Sequence, residues 1–115
     1  MIAAVKVRGD IDSREKVSRT LEDLKLTSRN RCVVFEDSES VRGMLEIAKD
    51  YIAYGEIEDE TFEKLEDRKG EDLENGDTVN LSSPSGGFKS TKKNHGQGGS
   101  LGRRPDMDDL VEKMV

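Results

Sequence analysis

The side chains that most often carry catalysis are scarce in this sequence. Cys32 is the single cysteine and His95 the single histidine among 115 residues. A nucleophilic cysteine needs a base beside it, yet Cys32 lies in the apolar run CVVF and His95 in a glycine-rich stretch. We therefore interpret Cys32 as a small core residue, with a Cys32–His95 catalytic pair as the lesser alternative.

Acidic side chains between positions 56 and 77 are the other candidates for chemistry. This segment holds eleven acids and three bases, but it lacks the D-x-D-x-D-G spacing of a calcium-binding loop. A zinc site needs about four ligands, which is more than the cysteine and the histidine supply. We interpret the segment as a solvated acidic face and predict no metal, cofactor, small-molecule substrate or enzymatic activity. A small enzyme that uses these carboxylates in a pocket is a competing hypothesis.

Basic residues are concentrated in residues 82–105, which we call the basic arm. Positions 78–105 carry five Lys or Arg and no acid, although the whole chain has a formal net charge of -6. Such cations neutralise phosphates, and no carboxylate within the segment repels them. The candidate RNA-binding side chains of the arm are Lys89, Lys92, Lys93, His95, Arg103 and Arg104.

Glycines of the same arm, among them Gly98 and Gly99, allow a phosphate to approach the main chain. The motif GQGGSLG lacks the Lys-Ser/Thr ending of a nucleotide-binding loop, so the arm indicates RNA rather than a free nucleotide. A disordered, soluble loop is the alternative interpretation of this composition.

Two further basic groups lie at the starts of predicted elements. Arg29, Asn30 and Arg31 form a turn whose guanidiniums can fork onto phosphates, although an ordinary polar turn is the simpler explanation from sequence alone. Arg42 and Gly43 begin a predicted helix, where free N–H groups and the helix dipole favour anions. Glycine costs a helix about 0.8–1.0 kcal/mol relative to alanine, so Gly43 indicates either close packing of a ligand or a tolerated residue.

Hydrophobic periodicity predicts the elements that must position these groups. IAAVKVRGD predicts a half-buried first strand with Lys6 and Arg8 on its outer face. A helix is predicted over residues 14–25, a strand over 32–36, a second helix over 41–50 capped by Ser40, and a third strand over 51–57.

The second half of the chain predicts shorter elements. An acidic helix over 60–69 begins at an Asp59 cap and ends at Gly70. TVNL is a possible short strand, and apolar residues at helical spacing predict a C-terminal helix after Pro105.

This order of elements predicts an α+β fold. We expect a two-layer β-α-β-α-β sandwich with a small three-stranded sheet, followed by an extended Gly/Lys-rich arm and a short helix. We divide the chain into a core domain at 1–57, an acidic helix and turn at 58–81, the RNA-binding basic arm at 82–105 and a C-terminal helix at 106–115.

The cellular compartment is indicated by what the sequence lacks. A single cysteine allows no intrachain disulfide and favours a reducing compartment. The N-terminal MIAAVKVRGD is not a signal peptide, and no stretch reaches membrane-spanning length. We predict a cytoplasmic protein without a membrane partner.

Four stretches of the sequence resemble a known family. VRG in the first strand, NRCVVFED, SVRGMLEIAKDYIAYGEI and GGFKSTKKNHGQGGSLG are similar to ribosomal protein L30 of the large subunit in its archaeal form, a relative of eukaryotic L7. The resemblance implies a β-α-β-α-β two-layer fold and a non-enzymatic protein of the large ribosomal subunit. Archaeal members are usually longer, with a fuller helical insert where this chain has EDLENGDTVN.

The same resemblance implies the partners and the contacts. The partners are large-subunit rRNA, near 5S rRNA, and other large-subunit proteins. The implied RNA contacts are Arg29, Asn30, Arg31, Arg42, Gly43, Met44, Lys89, Lys92, Lys93 and the Gly98–Gly99 loop.

An acidic ribosomal protein is unusual, and we explain the charge by a halophilic, high-salt cytoplasm. At molar salt the Debye length is about 3 Å, so RNA binding would depend on short-range fit. The alternative function is an acidic protein–protein interaction module in which the basic arm is a flexible linker.

Overall fold

A computed structural model describes residues 1–7, 15–82, 90–94 and 99–115, of which 90–94 and 99–101 are described by their backbone alone. The elements in chain order are β1 (Ile2–Lys6), α1 (Glu15–Asp23), β2 (Arg31–Phe35), α2 (Glu39–Ile47), β3 (Ile52–Glu56), α3 (Asp59–Lys69), β4 (Thr78–Asn80), β5 (Ser90–Asn94), β6 (Gly99–Arg103) and α4 (Met107–Met114).

One mixed sheet runs through the molecule, with strand order β4-β2-β1-β3-β6-β5. Central strand β1 pairs antiparallel with both β2 and β3. The short strand β4 adds to β2 antiparallel, and β6 adds to β3 in parallel. The α+β class is confirmed, but the prediction of a three-stranded sheet is wrong because β4 and β6 extend the sheet on both sides.

Helices cover both faces of this sheet, so the predicted two-layer sandwich is also wrong. On one face, Leu21 of α1 and Leu45 of α2 pack over Ala4 of β1. On the other face, Leu65 of α3 and Val111 of α4 belong to a second buried cluster. Successive side chains of β1 therefore point alternately into two hydrophobic cores, rather than into a core and into solvent.

Lys6 shows the consequence of this double cover. It was expected on an exposed basic face, but it is only 2% exposed, because the chain following α1 covers that face of β1. Its ammonium Nζ donates a hydrogen bond to the carbonyl oxygen of Thr27 at 3.3 Å. Arg8, the other residue of the expected basic face, lies outside the described residues.

The helix caps differ from the predictions at two starts. The backbone N–H of Val41 donates to Ser38 Oγ at 3.2 Å, so Ser38 rather than Ser40 caps α2, which begins two residues earlier than expected. Glu58 rather than Asp59 occupies the N-cap position of α3. The predicted end of α3 is confirmed, because Gly70 adopts φ 82°, a left-handed conformation that glycine adopts without steric strain.

Candidate nucleic-acid interface

The predicted RNA-binding residues that the structure describes lie at opposite ends of the sheet. The turn of residues 27–31 lies where β1 ends and β2 begins, and we call this the turn end. Arg42 and Arg103 lie at the opposite end, where β1 begins and β3 ends, because Ile2 pairs with Glu56 and Tyr54 with Arg103. A five-residue strand at about 3.3 Å per residue separates the two ends by roughly 13–17 Å.

The turn of residues 27–31 is held by backbone hydrogen bonds to two strands. The N–H of Asn30 donates to the Lys6 carbonyl at 2.9 Å, and the N–H of Leu81 donates to the Asn30 carbonyl at 2.9 Å. Asn30 adopts φ 64°, a region that asparagine tolerates better than most residues. Both main-chain groups of Asn30 are therefore hydrogen-bonded within the fold, which stabilises the conformation of the turn.

The two arginines of this turn have different environments. Arg31 donates from Nη1 to Thr27 Oγ1 at 3.1 Å and from Nε to Asn80 Oδ1 at 3.3 Å. Arg68 of α3 reaches the same place, donating from Nε to the Asn80 carbonyl at 3.0 Å. Arg29 is exposed, and within the described part of the chain it has no hydrogen-bond or ion-pair partner. Arg29 is thus the side chain at the turn end that is most available to a ligand.

At the start of α2 the predicted positive site carries a local ion pair. Arg42 donates from Nε and Nη2 to the two carboxylate oxygens of Asp37, both at 2.6 Å. This bidentate contact lowers the pKa of the Asp37 carboxyl and raises the pKa of Arg42, so both groups stay charged. Part of the Arg42 charge is therefore neutralised by its neighbour.

Gly43 and Met44 follow Arg42 and differ in burial. Met44 is partly buried and packs against the core on the α1 and α2 side of the sheet. Gly43 is exposed, and a Cβ added there would meet no described atom within 4 Å. The packing of the described protein therefore gives no reason for a glycine at this position.

Arg42 and Arg103 come together at a surface groove of about 210 Å³. Its lining also includes Ile2, Glu46, Tyr54 and Glu56. The positive charge of Arg103 lowers the pKa of the nearby Asp37 carboxyl. The groove therefore combines two guanidiniums with carboxylates and an aromatic ring.

Arg104 has a different environment from Arg103. It is 7% exposed and donates from Nε and Nη2 to the two carboxylate oxygens of Asp106, both at 3.0 Å. Its backbone N–H donates to the Tyr54 carbonyl at 2.8 Å. These contacts join β3, β6 and the start of α4, and the burial argues against the predicted role of Arg104 as an RNA contact.

Comparisons with known proteins show which family the chain resembles. The sequence model described as ribosomal protein L30p/L7e matches residues 2–52. A large ribosomal subunit protein uL30 of Methanosphaera stadtmanae is 29% identical over 152 aligned positions, covering 100% of both chains. The uL30 of Archaeoglobus fulgidus is 49% identical over 65 residues, which are 56% of this chain and 43% of that protein. The uL30 of Thermoplasma acidophilum is 28% identical over 100% of this chain and 93% of that protein.

Over residues 2–52 the chain is similar to the ribosomal protein L30p/L7e family. Proteins of this family are structural ribosomal components and not enzymes. The alignment with the Methanosphaera relative needs 152 positions for a chain of 115 residues, so that uL30 carries segments that this chain lacks.

The basic arm is described only in part. Lys92 and Lys93 lie in β5 and Gly99 begins β6. Lys89, His95 and Gly98 lie outside the described residues. The RNA contacts assigned to these residues stay predictions.

The remaining chemical candidates have structural explanations. Cys32 is fully buried, and burial raises the pKa of its thiol to about 12, so it holds no reactive thiolate at neutral pH. The described ranges contain no group of three or more Asp, Glu, His or Cys that could hold a metal ion. Among the described helices, none is long and apolar enough to cross a membrane.

Three contributors to these sites were not identified from the sequence. Lys6 supports the turn of residues 27–31, and its signal was a lysine within an otherwise apolar strand. Asn80 joins Arg31 to Arg68, but this depends on the pairing of β4 with β2, which is not visible in the sequence. Glu56 lies beside Arg42 because the end of β3 meets the start of α2, and no spacing of residues in the sequence predicts such a contact.

Proposed function

We propose that this chain is a member of the L30p/L7e family, a structural constituent of the large ribosomal subunit that binds large-subunit rRNA. The single observation that carries the RNA-binding part is the turn of residues 27–31, in which the main chain of Asn30 is hydrogen-bonded to Lys6 and Leu81 and Arg29 is exposed. The similar archaeal proteins, each named large ribosomal subunit protein uL30, support the ribosomal part.

A fixed turn is suited to this task for an entropic reason. Ordering a mobile loop on binding costs about 1–2 kcal/mol per residue in backbone entropy, whereas this turn is already ordered by its backbone hydrogen bonds. A planar guanidinium such as that of Arg29 can then bind a phosphate by two parallel hydrogen bonds. Binding through shape and phosphate contacts positions the protein without reading a base sequence.

The basic arm at 82–105 is proposed as the second RNA-binding segment. Lys89, Lys92, Lys93 and the Gly98–Gly99 loop would follow the phosphate backbone, while the core at 1–57 would supply the turn and the start of α2. We place this contact on large-subunit rRNA near 5S rRNA. The acidic face of α3, which includes Glu60 and Glu63, would face water or neighbouring ribosomal proteins, because phosphates would repel it.

Ultraviolet crosslinking in lysate of the source organism tests this proposal. We expect the chain to sediment with the large subunit and to crosslink to its rRNA through the turn and the basic arm. Arg29→Gln should lower the crosslink yield, whereas the matched control Arg19→Gln, on the exposed surface of α1, should leave it unchanged.

Recovery of the chain as a free protein would count against the ribosomal role. Recovery with protein partners and without rRNA crosslinks would favour the alternative of an acidic protein–protein interaction module. An Arg29→Gln variant with unchanged crosslinking would remove the turn from the proposed interface while leaving the ribosomal role intact.

A further inference from the structure

The groove at the Arg42 end of the sheet collects side chains from four elements on one face. Ile2 of β1 lies opposite Glu56 of β3, and Tyr54 of β3 lies opposite Arg103 of β6. Residues two apart on a strand share a face, so Tyr54 and Glu56 point the same way. Arg42 of α2 contributes to the same groove.

The charges in this groove do not suit a phosphate alone. Arg42 and Arg103 would attract one, but Glu56 lies within 4.0 Å of Arg42 and Glu46 also lines the groove. Carboxylates repel phosphate, whereas they accept hydrogen bonds from the N–H groups of bases. The mixture of two cations with carboxylates therefore favours a nucleotide whose base and phosphates contact different residues.

The two carboxylates have different freedom to accept a ligand. Glu46 accepts from Lys49 Nζ at 3.0 Å and from the Tyr54 hydroxyl at 3.3 Å, so both of its oxygens are engaged. The side chain of Glu56 is 70% exposed, and its contact with Arg42 is a long one at 4.0 Å. Glu56 is thus the groove's available hydrogen-bond acceptor.

We propose that this groove holds one unpaired RNA base, and that Glu56 selects guanine. This inference rests on the proposed RNA-binding function. Guanine presents two adjacent N–H donors, N1–H and the N2 amine, which match the two oxygens of one carboxylate. On the same edge adenine and cytosine each present one amine donor beside a ring acceptor, and uracil presents one N–H donor between two acceptors, so each of them leaves one carboxylate oxygen without a partner.

Size and the remaining lining agree with a single base. A volume of about 210 Å³ is below the roughly 300–1,000 Å³ of pockets for larger ligands. Ile2 and Tyr54 line the groove and give the base an apolar wall. Arg103 is exposed and can stack on the base or bind the phosphate beside it, as arginine does at unpaired RNA bases.

The test compares three end-labelled hexaribonucleotides at one fixed low salt concentration. They are AAGAAA, AAIAAA with inosine, and AAAAAA, and their dissociation constants are measured by fluorescence anisotropy. We expect AAGAAA to bind about tenfold more tightly than AAAAAA, the scale of a hydrogen bond to a charged group. Inosine lacks the N2 amine, so AAIAAA should fall between the other two.

Two glutamate variants test whether Glu56 is the residue that selects guanine. Glu56→Gln should reduce the preference for AAGAAA over AAAAAA to less than about twofold, because an amide has a single acceptor oxygen. Glu63→Gln is the matched control, since it removes the same charge from the exposed surface of α3 on the other side of the sheet. This control should keep the tenfold preference.

Equal affinity of the wild-type protein for all three oligonucleotides would overturn the guanine site, and so would a preference that Glu56→Gln leaves unchanged. The proposed ribosomal function would survive either result if the chain still crosslinks to large-subunit rRNA. Weaker binding of Arg103→Gln to all three oligonucleotides, with no base preference in the wild type, would identify a phosphate contact only and would likewise overturn the guanine site.

Discussion

Gly43 is a glycine that the packing of the fold does not require but that a bound ligand would explain. It lies inside α2, where glycine is less favourable than alanine by about 0.8–1.0 kcal/mol. Its position is exposed, and no described atom lies within 4 Å of an added Cβ. Gly55 is the opposite case, since a Cβ there would collide with the Arg104 carbonyl oxygen. Packing explains Gly55, whereas an external ligand near α2 would explain Gly43.

Gly43→Ala therefore has opposite expected effects on stability and on binding. We expect the free energy of unfolding to rise by about 0.8–1.0 kcal/mol, as measured by urea denaturation. Affinity for large-subunit rRNA should fall, because the new methyl group occupies the space that the RNA backbone would use. Ser40→Ala, in the exposed first turn of the same helix, is the control for rRNA affinity. Unchanged affinity of the Gly43→Ala protein would show that the glycine is merely tolerated.

The neighbouring residues Arg103 and Arg104 differ in burial, and the sequence alone could not predict this difference. Arg103 and Arg104 are chemically identical and adjacent in a glycine-rich stretch without hydrophobic alternation. Pairing of β6 with β3 places Arg103 at the groove and buries Arg104 beside Asp106. That pairing is non-local, so the sequence predicted two equal RNA contacts where the structure has one exposed residue and one buried residue.

At the scale of elements, α3 and α4 stabilise each other through one carboxylate. Asp108 Oδ1 accepts from the Glu58 backbone N–H at 2.8 Å and from Thr61 Oγ1 at 2.6 Å. Glu58 makes no side-chain cap of its own. A residue of α4 therefore satisfies an N–H at the start of α3 that would otherwise depend on water.

Asp108→Ala should destabilise the protein by about 0.5–2 kcal/mol, the range of a lost N-cap. Asp109→Ala is a matched control, because both acids lie in the first turn of α4 and interact similarly with its dipole. The control should change stability by less than about 0.5 kcal/mol. Urea denaturation of both variants measures the difference, and equal losses would show that the contact across the two helices adds no stability.

The elements themselves were largely predictable, because each has its own local periodicity. Helices near 15–23, 39–47, 59–69 and 107–114 and the first three strands were all expected within a few residues. The size of the sheet was not, because β4 has only three residues and β6 reads GSLGR. The burial of both sheet faces was missed for the same reason, since the predicted three-stranded sheet left no surface for α3 and α4 to cover.

At the scale of the whole molecule, the densest group of acids lies apart from most of the proposed RNA-facing groups. Residues 56–77 hold eleven acids against three bases, and α3 within this segment covers one face of the sheet. Apart from Glu56 at the groove, the proposed RNA-facing groups lie outside this segment, at the turn of residues 27–31, at the groove beside α2 and in the basic arm. Acids are thus concentrated where no phosphate contact is proposed, and the formal net charge of -6 is compatible with an RNA partner.

Repulsion within the acidic segment makes stability depend on salt. The Debye length falls from about 10 Å at 0.1 M to about 3 Å at 1 M salt, so salt should weaken the repulsion among the α3 carboxylates more than it weakens their close ion pairs. We expect the melting temperature to rise by several degrees from dilute buffer to molar potassium chloride, since about 1 kcal/mol shifts a small domain by roughly 4–8 °C. The Glu60→Gln, Glu63→Gln double variant should show a smaller rise, because two of the repelling charges are gone. A wild-type protein that is fully stable in dilute buffer and insensitive to salt would remove the support for a halophilic host, and the acidic face would then require a basic protein neighbour as its explanation.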